Sequence, residues 1–245
     1  MKTVSSLKNP AVQAARALRD ARERARQGAF LLDGEHMVGE ALAVCPDRVS
    51  ALFVDEARLE AYAALTALVP QTACYAVPSH VLAAISQVKT PQGVAAVCAM
   101  PPSPAPEEMG NRLILLENVQ DPGNVGTVLR TLDAAGFDGC ILTPGCADPF
   151  GPKALRATMG SVFRVPVCSV GNTVETVQAL NARGYATLAA ALDGAARLCP
   201  HACACLSATR APGSQSRRRT RARTASAFPC VAARNRSMPL WPPPS

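Results

Sequence analysis

The sequence predicts an α/β protein in two domains, a small N-terminal α/β domain and a second domain built on an open parallel sheet with crossover helices. Apolar runs typical of strands alternate with longer amphipathic stretches on both sides of a proline-rich break, PPSPAPEEMG. The run RLILLENV is continuously apolar, as expected of a buried parallel strand. With 245 residues and 49% hydrophobic content, the chain is long and apolar enough for one large or two modest domains.

The N-terminal domain is predicted to span residues 1–100. Asn9 and Pro10 form a cap and first-turn pair, and the stretch Ala11 to Gln27 has no helix breaker, which predicts one helix. AFLLDGEHMVGEALAV is typical of a strand, a glycine turn and a helix, and VSALFVDE of a second strand. YAVPSHVLAAIS and GVAAVCAM add a short strand, a helix and a final strand.

The second domain is predicted over residues 112–198, after a stiff proline-rich linker at residues 101–111. Its predicted strands are RLILLENV, GCILT, RVPVCSV and YATLAAAL, and its predicted helices are VGTVLRTLDAAG, a stretch near KALRATMG, and TVETVQALNARG. Strands and helices alternate, which indicates a parallel sheet. Residues 199–245 have no periodicity and are predicted to form a separate tail.

The positive charge of the chain is concentrated in this tail. The formal net charge is +7, but from Cys199 onward there is no Asp or Glu and there are eight arginines, Arg210, Arg217, Arg218, Arg219, Arg221, Arg223, Arg234 and Arg236. The residues before Cys199 carry 17 Lys and Arg against 18 Asp and Glu, a net charge of −1. The overall basicity therefore says little about the partners of the folded domains.

The ten cysteines indicate buried thiols rather than disulfides. The start of the chain lacks the apolar segment of a signal peptide, and most cysteines are scattered singly, as is typical of a reducing cytosol. The stretch CPHACACL has one His and no paired spacing, which argues against a metal site. No run is long and apolar enough to cross a membrane. We therefore expect a cytoplasmic protein that binds neither a metal nor a membrane.

The stretch ENVQDPGNVGTVLR follows the first strand of the second domain, where open parallel sheets collect their ligands. Asp121 and Pro122 are predicted to form a turn, Gly123 to allow close approach, and Asn124 to cap the helix that carries Arg130. A guanidinium there can grip a phosphate with two hydrogen bonds. Spacing alone leaves open a second interpretation, a capped helix with one surface arginine. The glycines form neither GxGxxG nor a Walker sequence, which argues against a nucleotide-dependent oxidoreductase.

The first predicted helix offers a second candidate surface. Its arginines outnumber its acids, so one face could contact phosphate, although an ordinary solvated face explains the pattern equally well. The candidates for RNA contact are Arg16, Arg19 and Arg22, and the same helix carries Arg24 and Arg26.

The second domain resembles a known family. LLENVQDPGNVGTVLRTLDAAGFDGCIL is similar to the first signature of the SpoU, or TrmH-like, RNA 2′-O-methyltransferases of the SPOUT superfamily, and KALRATMGSVFRVPV resembles the stretch that follows it there. FLLDGEHMVGEAL and TPQGVAAV resemble the small substrate-binding domain of many members. The resemblance extends from Met1 to about Leu198. It implies a trefoil-knot domain whose C-terminal knot segment is lost here.

The resemblance also implies an activity. S-adenosylmethionine would donate a methyl group to a ribose 2′-hydroxyl of rRNA or tRNA without a metal. Arg130 would then be the catalytic arginine and Asn124 its partner, with Glu117, Asp121 and Gly126 as supporting residues. Because an arginine is rarely a free base, we expect Arg130 to hold the phosphate beside the target ribose. For Glu117, an ordinary strand-end carboxylate is the simpler interpretation. A homodimer is implied only by the family, whose interface involves the replaced end.

A shifted reading frame explains the tail. The family supplies a Gly-Asn-Glu-Gly segment, then Ile-Pro-Met, then Ser-Leu-Asn before an Ala-rich helix. Read one base out of frame, residues 207–214, 227–230 and 234–245 can spell these segments in that order. The codons of Met238 and Pro239 give alanine in that frame with no freedom. The rival interpretation is a genuine basic arm that binds RNA phosphates.

Two function hypotheses follow from these patterns. The first is an RNA 2′-O-methyltransferase that binds its cofactor poorly and is inactive as written, because the family's cofactor-binding segments are replaced and residues from Cys199 onward are disordered. The second is an RNA-binding protein without catalysis that uses its N-terminal domain alone.

Overall fold

The computed structural model describes residues 1–88, 90–190, 203–208 and 224–226. The first of its two sheets has five strands in the order β1-β4-β3-β5-β2. These strands are β1 Lys2–Thr3, β2 Ala29–Asp33, β3 Val49–Asp55, β4 Cys74–Val77 and β5 Val94–Ala99. β4 is parallel to β1 and β3, whereas β5 is antiparallel to β2 and β3. No sequence pattern predicted β1, which has only two residues.

Helices cover both faces of this sheet. They are α1 Pro10–Ala17, α2 Ala21–Gln27, α3 Glu35–Val44, α4 Ala63–Ala67 and α5 Ser79–Ile85. Val12 of α1 and Leu82 of α5 pack with Leu31 on one face. Val38 of α3 packs with Phe30 and Leu32 on the other face. Successive residues of β2 point to opposite faces, so its apolar residues 29–32 are buried on both sides of the sheet.

The prediction of one helix from Ala11 to Gln27 is wrong, because the chain breaks at Leu18–Asp20 into α1 and α2. The Asp20 side chain accepts hydrogen bonds from the backbone N of Arg22 and of Glu23, so it caps a new helix instead of continuing the first. An aspartate competes in this way with the helical backbone around it. The predicted cap at Asn9 is confirmed, since its side chain accepts a hydrogen bond from the backbone N of Ala11.

The proline-rich stretch after β5 contains a short 3-10 turn, Pro106–Glu108. The Glu108 carboxylate accepts a hydrogen bond from the backbone N of Ala105 at 3.0 Å, which fixes the start of that turn. The chain then enters the second sheet.

The second sheet is parallel throughout the described residues and has the strand order β11-β9-β10-β6-β7-β8. Its strands are β6 Arg112–Glu117, β7 Gly139–Leu142, β8 Val167–Ser169, β9 Ala186–Ala190, β10 Cys203–Ala208 and β11 Thr224–Ser226. Its helices are α6 Pro122–Ala135, α7 Pro152–Thr158 and α8 Thr173–Ala182. The predicted α/β class with a parallel sheet is confirmed. Leu113 and Leu115 of β6 pack toward α8, and Leu116 packs toward α6.

Two segments of the tail, for which the sequence predicts disorder, lie in strands of the second sheet. β10 lies between β6 and β9 and pairs with both, and β11 extends the sheet beyond β9. The sequence CACLSA is small and largely apolar, which is compatible with a central strand whatever its reading frame, and the neighbouring strands offer backbone groups to pair. The other predictions for the tail fall on residues 199–202, 209–223 and 227–245, which lie outside the described residues, as do residues 191–198 of the second predicted domain.

The two sheets are joined by packing as well as by the linker. The Phe30 ring of β2 lies 4.9 Å from the Phe150 ring and 6.4 Å from the Phe163 ring, centroid to centroid. Leu155 of α7 and Val162 are buried in the same cluster as Phe30. Nowhere in the described ranges is a helix long and apolar enough to cross a membrane, nor do three His, Cys, Asp or Glu side chains gather as metal ligands do.

Candidate functional site

The candidate site lies where β6 ends and α6 begins. Because the strands around β6 are parallel, their carboxyl ends share one edge of the sheet, where Glu117 of β6 pairs with Ala208 of β10. The loop of residues 118–121 leaves this edge and leads directly into α6. This is the position at which open parallel sheets bind ligands.

Helix α6 is capped by Asp121, not by Asn124 as the spacing predicted. The Asp121 carboxylate accepts a hydrogen bond from the backbone N of Gly123 at 2.7 Å, and Pro122 occupies the first helical position. A proline is well suited to the first helical position, because an N–H there would have no partner within the helix. With Pro122 in that position, the cap is the residue before it, Asp121. Asn124 is instead an exposed residue of the first turn.

A lysine of the neighbouring helix reinforces this cap. Lys153 of α7 donates a hydrogen bond from Nζ to Oδ1 of Asp121 at 3.0 Å. The ammonium of Lys153, followed by the backbone N–H of Gly123, lowers the pKa of Asp121 below its usual value. Sequence reasoning missed Lys153 because the contact joins two helices 32 residues apart in the chain.

Arg130 is exposed on α6, eight residues after Pro122 and therefore about two turns into the helix. It shares a helix face with Gly123 and Thr127, which lie seven and three residues before it. Long side chains on a helix lean toward its N-terminus, so an arginine at this position is suited to reach toward the capped end. Among the described residues, Arg130 makes no hydrogen bond or ion pair, and it is available to an anion.

Glu117 is half-buried at the end of β6, and its Oε1 accepts a hydrogen bond from the Thr173 hydroxyl at 3.0 Å. Thr173 is the first residue of α8. The carboxylate therefore ties the end of the strand to the start of a helix on the other face of the sheet, which agrees with the interpretation of an ordinary strand-end carboxylate.

Gly126 supports the site by letting two helices approach. It is buried in α6, and a β-carbon built there would lie 2.4 Å from the backbone O of Ala154 and 2.6 Å from the β-carbon of Ala157. No residue larger than glycine fits without moving α7. The close crossing places Lys153 of α7 against the start of α6.

The loop of residues 143–147, which follows β7, holds the loop of residues 118–121. The hydroxyl of Thr143 accepts a hydrogen bond from the backbone N of Asn118, and the Cys146 thiol contacts the backbone of Leu116 and Val119. Sequence reasoning missed Thr143 and Cys146, because neither belongs to a motif that predicts a site. Their contacts with the loop of residues 118–121 form only when β6 and β7 pair in the sheet.

The candidate arginines of the first helical region have different roles. Arg19 donates two hydrogen bonds to the backbone O of Ala84 and of Ser86, so it helps dock α1 against α5. Arg24 is buried and Arg26 is paired with Glu23. Arg16 and Arg22 are exposed and, within the described ranges, have no side-chain partner. The structure therefore leaves only part of this predicted surface free for phosphate.

The strands next to β6 end at the same edge of the sheet as β6 itself. Ala190 of β9 pairs with Ser226 of β11, and Ala208 of β10 pairs with Glu117, so four strands end side by side at the edge where α6 begins. Backbone groups at such an edge can hold a nucleoside. The segments that follow β9, β10 and β11, to which the family resemblance assigns the cofactor, lie outside the described residues.

Comparisons with known proteins match this arrangement. The model of the SpoU rRNA Methylase family matches residues 111–208, and that of the MRM3-like substrate binding domain matches residues 9–96. The chain is 38% identical over 197 residues to the 23S rRNA (guanosine(2553)-2'-O)-methyltransferase RlmP of Bacillus subtilis (strain 168), covering 80% of this chain and 76% of that protein. It is 33% identical over 152 residues to the human mitochondrial rRNA methyltransferase 3, covering 59% of this chain and 36% of that protein.

The fold is also similar to a solved structure. An AdoMet-bound rRNA methyltransferase from Sinorhizobium meliloti superposes with a TM-score of 0.76 at 29% sequence identity, covering 98% of this chain and 92% of that one. The matched signature contains the capped helix with Arg130, and the RlmP match covers more than two thirds of that relative. The chain therefore belongs to the SpoU rRNA methylase family.

Proposed function

We propose that this chain is built as an S-adenosylmethionine-dependent methyltransferase that modifies a ribose 2′-hydroxyl of ribosomal RNA. The observation that carries the proposal is an exposed Arg130, unpartnered among the described residues, on a helix that starts at the carboxyl edge of a parallel sheet. Relatives that are named as rRNA methyltransferases, one of them solved with AdoMet, support the substrate class and the cofactor.

When bound, the cofactor supplies an electrophilic methyl group on a sulfonium. The leaving group is a neutral thioether, which needs no metal to depart. The protein has to bind the RNA, align the attacking oxygen and stabilise the charge on that oxygen as its proton departs. Arg130 binds the phosphate next to the target ribose with its planar fork of N–H donors. A guanidinium stays protonated at neutral pH, so its part is electrostatic and it does not take the proton.

Asn124 serves as a polar partner to Arg130 at the start of the same helix. Its exposed amide can both donate and accept hydrogen bonds, which suits a ribose or phosphate oxygen. Asp121 fixes the helix start behind it, and Gly126 lets α7 bring Lys153 close. The residues that touch RNA thus project from a capped, closely packed helix.

The tail decides whether the chain as written is active. We propose that the residues from about Cys199 onward, which include β10, are a shifted reading of the cofactor-binding end, and that the chain consequently binds S-adenosylmethionine poorly. β10 itself tolerates the altered sequence because backbone pairing does not depend on side chains. A cofactor pocket built from loop residues does depend on them.

A three-way assay tests both parts of this proposal. Transfer of labelled methyl from S-adenosylmethionine to ribosomal RNA fragments is measured for the chain as written, for a chain whose tail is restored to frame, and for the restored chain carrying Arg130→Ala. We expect no activity in the first, activity in the second, and a loss of about 100-fold or more in the third. Calorimetry that finds micromolar cofactor binding by the chain as written would refute the account of the tail.

A restored chain that binds RNA but never transfers methyl would favour the second candidate, an RNA-binding protein. The N-terminal domain favours this candidate, because it has a five-stranded sheet of its own and matches the MRM3-like substrate binding domain. A cytoplasmic location fits a protein that acts on ribosomal RNA and carries free thiols, and it is tested by cell fractionation. Dimer formation stays a prediction, which gel filtration of both chains would test.

A further inference from the structure

The segment that connects β6 to α6, residues 118–121, is named the signature loop here. Asn118 has φ of 53°, a left-handed backbone conformation that asparagine adopts more readily than other residues with a side chain. The loop continues directly into the Asp121 cap and the helix of Arg130. Its backbone path therefore determines where α6 starts.

The loop after β7, residues 143–147, is shaped to hold the signature loop and is named the support loop. The Thr143 hydroxyl accepts a hydrogen bond from the backbone N of Asn118 at 3.3 Å, and the backbone N of Ala147 donates to the backbone O of Val119 at 2.8 Å. Gly145 has φ of 87°, and a β-carbon there would lie 2.4 Å from Oδ1 of Asn118. The two loops therefore fit only with glycine at that position.

Cys146 makes the central contact of this pair of loops. Its Sγ accepts a hydrogen bond from the backbone N of Val119 at 3.4 Å and donates to the backbone O of Leu116 at 3.2 Å. One thiol thus joins the end of β6 to the first residues of the loop that follows it. Cys146 is free and half-buried, so the contact is not part of a disulfide.

We infer that Cys146 is a positioning residue, which acts through its two hydrogen bonds to hold the signature loop and thereby the start of helix α6. The inference rests on the proposed function for its consequence, since α6 presents Arg130 to RNA. The part of the inference that concerns the signature loop rests only on the contacts of Cys146 described above. Cys146 does not touch substrate and is not catalytic.

The competing explanation is packing, because Cys146 also lies against the buried cluster that contains Leu116. Three substitutions separate the two. Cys146→Ser keeps a group that can donate and accept hydrogen bonds. Cys146→Val fills the space but makes no side-chain hydrogen bond, and Cys146→Ala neither fills the space nor makes a hydrogen bond. Cys45→Ala is the matched control, since Cys45 is also free and half-buried but lies in the N-terminal domain.

Amide hydrogen exchange of the full chain at Val119 and Gly123 is the first measurement. We expect these amides to exchange within about twofold of the parental rate in Cys146→Ser. In Cys146→Val and Cys146→Ala they should exchange roughly three- to tenfold faster, as for the loss of one hydrogen bond. Exchange at the parental rate in Cys146→Val, or equally fast exchange in Cys146→Ser and Cys146→Ala, would overturn the inference. Thr143→Val, which removes the acceptor for Asn118 without altering a cysteine, should give the same result if Cys146→Ala fails to fold.

Affinity for a ribosomal RNA fragment is the second measurement, because a merely structural residue would not couple to Arg130. We expect Cys146→Ala to weaken binding in the parent and to add no further loss in an Arg130→Ala background. Equal losses in both backgrounds would contradict a role in positioning Arg130. If Arg130→Ala alone leaves RNA affinity unchanged, the proposed function fails at this site, while the exchange pattern still decides the role of Cys146.

Discussion

At the scale of single residues, Arg130 is the side chain on which the proposed function most directly depends. It is exposed and is unpartnered within the described ranges, so replacing it removes a phosphate contact without removing an internal one. We predict that Arg130→Ala weakens binding to a ribosomal RNA fragment by roughly tenfold, as for a charged hydrogen bond. The slope of log affinity against log salt should fall by about 1, because one fewer counterion is displaced. Filter binding at several KCl concentrations measures both.

Arg183→Ala is the control for this prediction. Arg183 is also exposed, but it follows α8 and pairs with Glu107 of the linker, at the amino-end edge of the sheet opposite to Arg130. Its removal should leave both the affinity and the salt slope unchanged. Equal effects of the two substitutions would mean that RNA binds by general charge and that α6 has no special part.

A second residue-scale prediction concerns the cap of α6. Lys153 contributes most to the lowered pKa of Asp121, so Lys153→Met should move the pKa of Asp121 up toward its ordinary value of 3.8. Because the folded pKa is the lower one, the cap stabilises the fold fully above pH 3.8, and this contribution is lost as the pH falls through the folded pKa. Carbon-detected NMR titration of the Asp121 carboxyl measures the shift.

Lys8→Met is the matched control, since Lys8 is exposed in the N-terminal domain. It should leave the Asp121 titration unchanged. A midpoint for Asp121 that does not move in Lys153→Met would show that the ion pair is absent in solution and that the backbone N–H groups of Gly123 and Asn124 lower the pKa.

The cap also shows what sequence reasoning can resolve at a single residue. The stretch DPGN contains two good caps, and the sequence predicted the right helix with Asn124 at its start. Pro122 decides between the two, because it occupies the first helical position and leaves Asp121 as the preceding residue. The role of Arg130 could be expected from the family resemblance. Contacts of Lys153 and Cys146 could not, since they depend on how loops distant in the chain meet.

At the scale of elements, the crossing of α6 and α7 depends on Gly126. We predict that Gly126→Ala destabilises the chain by about 2 kcal/mol through overpacking, although alanine is the better helix former. The new β-carbon would lie 2.4 Å from the backbone O of Ala154, and backbone gives way less readily than the end of a side chain. Urea denaturation followed by circular dichroism measures the change.

Gly39→Ala gives a control of the same chemistry at an uncrowded position. Gly39 lies inside α3, and a β-carbon added there would have no neighbour within 4 Å among the described residues. This substitution should stabilise the chain by about 0.5–1 kcal/mol through helix propensity alone. Stabilisation by Gly126→Ala as well would show that α7 can move away at little cost.

Sequence periodicity served best for long apolar elements and worst for interruptions. It predicted β6 from a continuous apolar run and α6 from a proline turn, a cap and the amphipathic stretch that follows, all of which are local patterns. It missed the break at Asp20, where a cap competes with helix continuation, and the strand β10, where pairing with β6 and β9 outweighs a weak local pattern. Both errors come from interactions that a local pattern does not record.

At the scale of the whole molecule, the two sheets are packed together by contacts between residues far apart in sequence. Arg164 bridges the halves, donating to Glu40 of α3 at 2.7 Å and to Asp133 of α6 at 2.9 Å. Glu40 in turn lies against Gly160, where a β-carbon would come within 2.6 Å of its carboxylate. The helix that carries Arg130 is thus tied to the domain that resembles a substrate-binding domain. No local sequence pattern predicts such an interface.

A second polar contact of this interface, made by a buried arginine, gives the final prediction. Arg24 of α2 donates two hydrogen bonds to Oδ2 of Asp148, at 3.0 and 2.5 Å, and two more to the backbone O of Leu18 and of Arg19. Its side chain is only 6% exposed. We predict that Arg24→Met lowers the free energy of unfolding by about 3 kcal/mol, because it leaves a half-buried carboxylate and two carbonyls without their donor.

Arg26→Met tests whether burial causes this effect. Arg26 pairs with Glu23 at 2.7 Å, but its side chain is 69% exposed, so water replaces the partner and no measurable loss is expected. Calorimetric unfolding of both variants also reports on the interface, since a loosened Arg24→Met chain should unfold in two separate transitions where the parent unfolds in one. A single transition at the parental temperature in Arg24→Met would mean that the aromatic contacts of Phe30 hold the halves together without the ion pair.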